Sequence, residues 1–466
     1  MAGRFSTTTP RVTRVSRRWV FTTCILLLIG CKPASNDGVA LVGATLIDGT
    51  GGPALPDAVI VVRRGRIEFV GTHSDFQLPP KTREVNVSGR WIIPGLIDSH
   101  AHLAPSTSWA RPRYLAWGVT TIRDMHGGIG SLTTLRRKAD EAAANGPRVY
   151  AAGAMIDGLP ATYPDAIGVS AERDARKAVD QLVTAGADFI KVYTRIDAPL
   201  LRAIIDEAKA FNLSVSGHLG MTNAVAAARA GIASIEHMTG VAEAAAINSA
   251  SIVTAHYRGF YPGWTAAERS WGGLDSAALA RVAQTLAEAQ ITIVPTLVLH
   301  ETLSRLSEPG LMRDQALQDV PKERQQEWDV PGLISRAGWS SADFDAFRQS
   351  RSMQDLFLRA FAVAGGRIAV GTDAVSPMLV PGYSEHREME LLVRAGLTPR
   401  EAIRAATRNG AVLLGADSLG LLAPGNVADL VLLSKDPLND IRNTRAIEAV
   451  MSRGHLMSTD SIRAAW

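Results

Sequence analysis

The chain has 466 residues, is 46% hydrophobic and 20% charged, and holds two cysteines; this excludes a single small core, a disordered chain and a disulfide scaffold. Its formal charge of +4 comes from residues 1–31, which carry Arg4, Arg11, Arg14, Arg17 and Arg18 and no acid, so the remainder stands at −1. A near-neutral body gives no electrostatic reason to expect nucleic acid as a partner.

In chain order, residues 1–31 read as a lipoprotein signal peptide. Arg17 and Arg18 precede an apolar stretch of 12 residues, Trp19 to Gly30, too short to span a bilayer but suited to a signal-peptide core. It ends Leu28-Ile29-Gly30-Cys31, which resembles the bacterial lipoprotein cleavage box with Cys31 as the lipidated residue. An ordinary signal peptide or short anchor is the alternative. Lys32 resembles the residue that follows the cysteine in outer-membrane lipoproteins, so the expected location is the cell envelope, lipid-anchored and facing the periplasm. Cys24 and Cys31 both lie in this leader. The rest of the chain therefore has neither a disulfide nor a catalytic thiol.

Residues 32–38 form a polar tether. Val39–Ile47, Ala58–Val62, Ile67–Val70 and Glu84–Val87 are short apolar or alternating runs separated by glycine-rich turns, the pattern of strands. Ala428–Leu433 and Ile447–Ser452 repeat it near the other end. Residues 39–93 and 419–457 are thus expected to form one small β-sandwich built from both termini.

Between them, residues 94–418 alternate strand and helix. The expected strands are Leu96–His102, Thr120–Asp124, Arg148–Ala152, Phe189–Thr194, Ser214–His218, Ser234–His237, Thr292–Pro295 and Ile368–Asp373. Helical segments such as Ala171–Ala185, Leu200–Phe211, Asn223–Ala230 and Ser276–Ala289 intervene. This is an α/β chain whose pattern argues for a parallel (β/α)8 barrel of the TIM type. Residues 297–359, rich in charge and tryptophan, read as a helical insertion, either a lid over the site or a structural excursion.

Several of these strands end in polar residues, where barrel active sites sit. His100 and His102 close an apolar run and share one strand face, a start for a divalent cation site. Lys191 lies inside Asp188-Phe189-Ile190-Lys191-Val192-Tyr193, where a bare cation is costly to bury. His218, His237 and Asp373 end three more strands. Each has a plain alternative: a satisfied buried histidine, or a helix N-cap for Asp373. Their joint placement at strand ends argues for one site.

The set resembles the amidohydrolase superfamily in its binuclear-metal form, and most closely the branch with imidazolonepropionase-like and Xaa-Pro dipeptidase-like hydrolases. The likeness runs from Gly43-Ala44-Thr45-Leu46-Ile47-Asp48-Gly49 to Pro424-Gly425-Asn426-Val427-Ala428-Asp429-Leu430. It implies that His100, His102 and Asp373 hold one metal and that His218 and His237 hold a second. Lys191, carboxylated on its ε-nitrogen by carbon dioxide, would bridge the two. A metal-bridging hydroxide would attack the substrate carbonyl, with Asp373 the catalytic proton carrier. Nitrogen and carboxylate donors favour two Zn2+ ions. Tyr193, on the Lys191 face, either binds a substrate carboxylate or oxyanion or packs in the core. His126 either contacts substrate or lies on an exposed loop. Arg123 and Asp124 are expected to hold loop structure, and His300 and His386 to lie at the rim or on the surface. Relatives that cleave dipeptides often carry Gly-Gly-His after the third strand, where this chain has Ala152-Gly153-Ala154-Met155.

The expected activity is hydrolysis of an amide-type C–N bond in a dipeptide, an N-acyl amino acid or a cyclic amide. Lactone or organophosphate hydrolysis, imidazolonepropionase-like chemistry and a non-catalytic metal- or ligand-binding lipoprotein are the alternatives. The expected partners are a small-molecule substrate, the membrane through Cys31, and a second copy of the chain.

Overall fold

A computed structural model describes residues 38–103, 107–141, 146–464 and 466. The leader with Cys31, and residues 32–37 of the tether, lie outside the described residues.

Strands β1 (Gly38–Leu46), β2 (Leu55–Arg63) and β3 (Arg66–Thr72) form an antiparallel meander, and β4 (Thr82–Asn86) and β5 (Trp91–Pro94) lie parallel to β1 on its other edge. Alternation along β1 and β2 sends Leu41, Ile60 and Val62 to one apolar cluster and Ala40, Val59 and Val61 to another, the period-two signature of a sheet covered on both faces.

The chain then enters parallel structure. β6 (Leu96–Ala101), β7 (Val119–Asp124) and β8 (Arg148–Ala151) form a sheet of three. β9 (Ile156–Gly158), β10 (Ile167–Val169), β11 (Ile190–Val192), β12 (Val215–Gly217), β13 (Ser234–Glu236), β14 (Thr292–Val294) and β15 (Arg367–Ile368) form a sheet of seven in the order β10-β9-β11-β12-β13-β14-β15. Backbone hydrogen bonds also link the three-stranded sheet to segments that flank strands of the second. Ser99 N–H donates to the Val370 carbonyl at 2.9 Å and Thr372 N–H to the His100 carbonyl at 3.0 Å, while Asp188 N–H donates to the Ala151 carbonyl at 2.9 Å. The regular strands are shorter than their apolar runs: His102, His218 and His237 directly follow strand ends, and Asp373 lies in the segment beyond β15.

The crossovers include α1 (Glu172–Ala185), α2 (Ala198–Ala210) and α3 (Ala224–Ala230). Asp197 and Asn223 cap the second and third by accepting from Leu200 N–H and Ala226 N–H, and α1 stops at Gly186, whose φ of 86° suits a residue with no Cβ. Between β13 and α6 (Ser276–Glu288) a short helix, Val241–Ala245, is followed by α4 (Ser249–Arg258) and α5 (Phe260–Trp271). Residues 297–363 hold α7 (Leu297–Ser304), short helical turns and α8 (Ser341–Val363), followed by α9 (Tyr383–Ala395). Among the described residues no helix is long and apolar enough to cross a membrane.

The chain ends in β16 (Leu430–Leu433), β17 (Ile447–Ser452) and β18 (His455–Ser458). β16 pairs antiparallel with β5, so strands from both ends make a single sheet of eight rather than two separately paired sheets. Contacts across this pairing, Val431 with Ile93 and Leu432 with Ile92, decide the outcome.

Candidate metal centre

His100 ends the buried face of β6, and the two-residue strand period brings His102 to the same side. The Nε2 atoms of His100 and His102 lie 3.1 Å and 3.0 Å from one oxygen of Asp373. The His237 ring centroid is 4.4 Å from that of His100, and the His218 centroid is 4.9 Å from that of His237. One donor atom each from His100, His237 and Asp373 falls within 4.8 Å of the others. The four imidazoles and the carboxylate expected at strand ends therefore converge.

Burial holds His218 and His237 well below the ordinary histidine range. Their rings are neutral and keep a lone pair for a ligand. Burial opposes charge on Asp373, but the His102 charge and hydrogen bonds from His100 and His102 hold its carboxyl well below the usual range. His102 shows the reciprocal effect: burial lowers it, yet Asp373 raises it overall. Lys191 is buried in the middle of β11, and its Nζ has no hydrogen-bond partner among the described residues. Burial depresses its pKa to about 8, against the opposing pull of Glu236 and Asp373.

His237, Thr296 and Asp373 take left-handed backbone angles, with φ of 56°, 49° and 62°. Such angles cost about 1–3 kcal/mol each for non-glycine residues and cluster at functional sites.

A second layer of side chains orients the first. Glu236 accepts from His100 Nδ1 at 2.7 Å on one oxygen, and from Arg123 Nη1 at 3.2 Å and Ser234 Oγ at 2.6 Å on the other. Thr296 Oγ1 lies 2.7 Å from His237 Nδ1. Sequence reading missed Glu236, Ser216, Ser234 and Thr296; the available signal was polar residues at alternate positions in otherwise apolar strands. It misplaced Arg123, whose guanidinium is buried against Glu236 and beside the Phe189 ring instead of holding a loop. Asp124 does serve the backbone, accepting from Leu103 N–H at 2.7 Å.

His300 and His386 are not surface residues. His300 is buried with Nδ1 3.0 Å from Glu268 and Nε2 3.2 Å from the His237 carbonyl, stacked on Trp264. His386 is buried between Thr444 and the Trp117 carbonyl, and burial pushes its pKa down to about 3. An isolated polar residue in a helical stretch reads as exposed until its tertiary partners are known.

Tyr193 packs its ring 4.7 Å from that of His218, and His126 lies farther out, 3.0 Å from Asp165 and with its ring 5.7 Å from that of Tyr163. Phe260 and Trp264 of α5 also pack on His218, at 5.6 Å and 5.8 Å. From residues 297–359, His300 reaches this layer, stacked behind Trp264.

Residues 91–457 match the sequence pattern of the amidohydrolase family, and the chain belongs to that family. It is accordingly a hydrolase of amide-type C–N bonds. It is 26% identical to the ochratoxinase of Aspergillus niger, over 90% of this chain and 86% of that one, and 27% identical to the imidazolonepropionase of Cereibacter sphaeroides, over 84% and 91%. Among solved structures it is similar to a prolidase-type protein from Bifidobacterium longum, with a TM-score of 0.65, 26% identity and coverage of 92% of this chain and 98% of that one. Bottromycin amidohydrolase is also similar, with a TM-score of 0.69, 26% identity and coverage of 92% and 88%.

Proposed function

We propose that the protein is a binuclear metal hydrolase that cleaves the amide bond of a dipeptide, an N-acyl amino acid or a cyclic amide, within a (β/α)8 barrel closed through the two seams between its parallel sheets. His100, His102 and Asp373 would hold one divalent ion and His218 and His237 the other. Lys191 would bridge them as a carbamate.

The observation that carries this reading is Lys191. Its buried Nζ lacks a hydrogen-bond partner, on a strand beside His218 and in the same charge field as His237 and Asp373. A buried polar group without a partner costs about 1–3 kcal/mol. Carboxylation resolves that cost. The neutral amine forms an N–C bond to carbon dioxide, an N–H proton leaves to solvent, and the product is an anion with two donor oxygens. The donor set, neutral imidazoles with carboxylate-type oxygens, suits Zn2+. When bound, the ions would polarise the scissile carbonyl and lower the pKa of water. Asp373 would take the proton of the attacking water and return it to the leaving nitrogen. His102, the more exposed imidazole of the pair at 29%, would sit at the substrate side. The Leu28-Ile29-Gly30-Cys31 sequence, with Arg17 and Arg18 before its apolar stretch, supports the reading that the protein would be lipid-anchored at Cys31 on the periplasmic side of the envelope.

The test measures metal per chain and turnover of an amide library. The expected result is two divalent ions in native protein with bicarbonate present, fewer in Lys191→Met, and turnover abolished in Asp373→Asn. Fully loaded native protein that cleaves none of the three amide classes would overturn the reading.

A further inference from the structure

A continuous aromatic surface runs from solvent to the imidazoles. Tyr163 is 40% exposed and its ring lies 5.6 Å from that of Tyr193. Tyr193 is stacked on Phe260 at 5.9 Å with an interplanar angle of 18°. Phe260, half-buried, leads to Trp264 at 6.2 Å, and both rings, with Tyr193, surround His218. Leu159, at the start of the same loop as Tyr163, is 60% exposed.

Rings packed on rings are ordinarily core. Here the series is graded: Tyr163 and Phe260 keep surface toward water, while Tyr193 and Trp264 are buried at 7% and 6% exposure. Through His237 and His100 the His218 ring leads to His102 and Asp373, which are partly exposed. Tyr163 is close enough to Asp373 for the carboxylate charge to act on its phenol. Partly exposed rings beside His218, with the reacting groups farther along the same cluster, suit a planar ring attached to a polar bond.

We propose that Tyr163 and Phe260 form a ring subsite, so that the substrate is an amide carrying an aromatic group directly beside the scissile bond, on its acyl or its amine side. This rests on the hydrolase reading above. Aromatic rings prefer one another to saturated rings of similar size, because the edge of one meets the electron-rich face of another.

Saturated-ring controls separate that preference from size. Benzoyl-glycine is compared with cyclohexanecarbonyl-glycine, and acetyl-phenylalanine with acetyl-cyclohexylalanine. Native protein should favour the aromatic member of one pair by about three- to tenfold in kcat/KM, mostly through KM. In Phe260→Leu and Tyr163→Leu the ratio should fall to about one. Tyr163 is partly exposed, so its variant keeps the test open if Phe260→Leu misfolds. Calorimetric binding of benzoate and cyclohexanecarboxylate to native, metal-loaded protein reads the same preference without turnover. Absent turnover of every amide defeats the hydrolase reading alone, and the binding ratio then decides the subsite. Ratios within twofold of unity in both substrate pairs and in binding, or an aromatic preference that survives both substitutions, would overturn the proposal.

Discussion

Oε2 of Glu236 lies 2.7 Å from Nδ1 of His100, and the other carboxylate oxygen lies 3.2 Å from Nη1 of Arg123. The carboxylate thereby fixes the tautomer of His100 and leaves Nε2 to face Asp373, while it neutralises a buried guanidinium. Orienting partners of this kind are worth about 10–100-fold in metal affinity. Glu236→Gln keeps the size but removes the charge, and is expected to weaken metal binding by about that factor. Chelator competition measures it, and unchanged affinity in a folded variant would deny Glu236 this role.

Lys191 leads to an expectation of unusual sign. In metal-free protein its buried amine has no hydrogen-bond partner, so Lys191→Met, similar in volume and without a polar atom, should raise stability by about 1–3 kcal/mol. The same variant should bind less metal than native protein. Denaturant melts with and without metal test both halves. A metal-free variant less stable than the native chain would show that Lys191 is already satisfied.

Gly263 lies inside α5, where alanine would ordinarily add about 0.5–1 kcal/mol of helix stability. A Cβ there would fall 2.2 Å from Nδ1 of His256, whose ring is buried against Glu243 at 2.8 Å. Overpacking of about 1–3 kcal/mol outweighs the helix gain. Gly263→Ala should therefore lower Tm and, by displacing Phe260 and Trp264, raise KM more than it lowers kcat. A stabilised variant with native KM would refute the packing argument.

Glu388 on α9 accepts from Leu297 N–H at 2.9 Å and Val298 N–H at 2.7 Å, at the start of α7. Burial outweighs these bonds and raises its pKa from 4.5 to about 7. Between those values the unfolded chain has released the proton and the folded chain still holds it. This group's contribution to stability is therefore full below about pH 4.5 and declines until about pH 7. Glu388→Gln should flatten that part of the profile, as read from melts at pH 5 and pH 8. An unchanged slope would show that Glu388 is ionised throughout.

Much of this was legible in the residues. Two histidines two positions apart at the end of an apolar run are placed on one face by strand geometry alone. Polar termini on Ser214–His218 and Ser234–His237 stood out because the preceding residues are apolar or small. The paired β-rich ends were visible by their alternation. What stayed hidden was relational. Arg123 and His300 each have local sequence compatible with an exposed role, and only their partners, Glu236 and Glu268, explain their burial. Phe260 and Trp264 lie in an ordinary helix whose apolar face gives no clue to what it covers.

By itself the sequence determined the local order: which runs extend, which coil, and which polar atoms stand at their ends, because backbone preference and side-chain period act over a few residues. Only the tertiary structure decided that His102 and Asp373, 271 positions apart, sit 3.0 Å from each other. It also decided that β5 and β16 join the two ends of the chain in one sheet. Such meetings depend on packing and hydrogen bonds between distant segments, which no short stretch encodes alone.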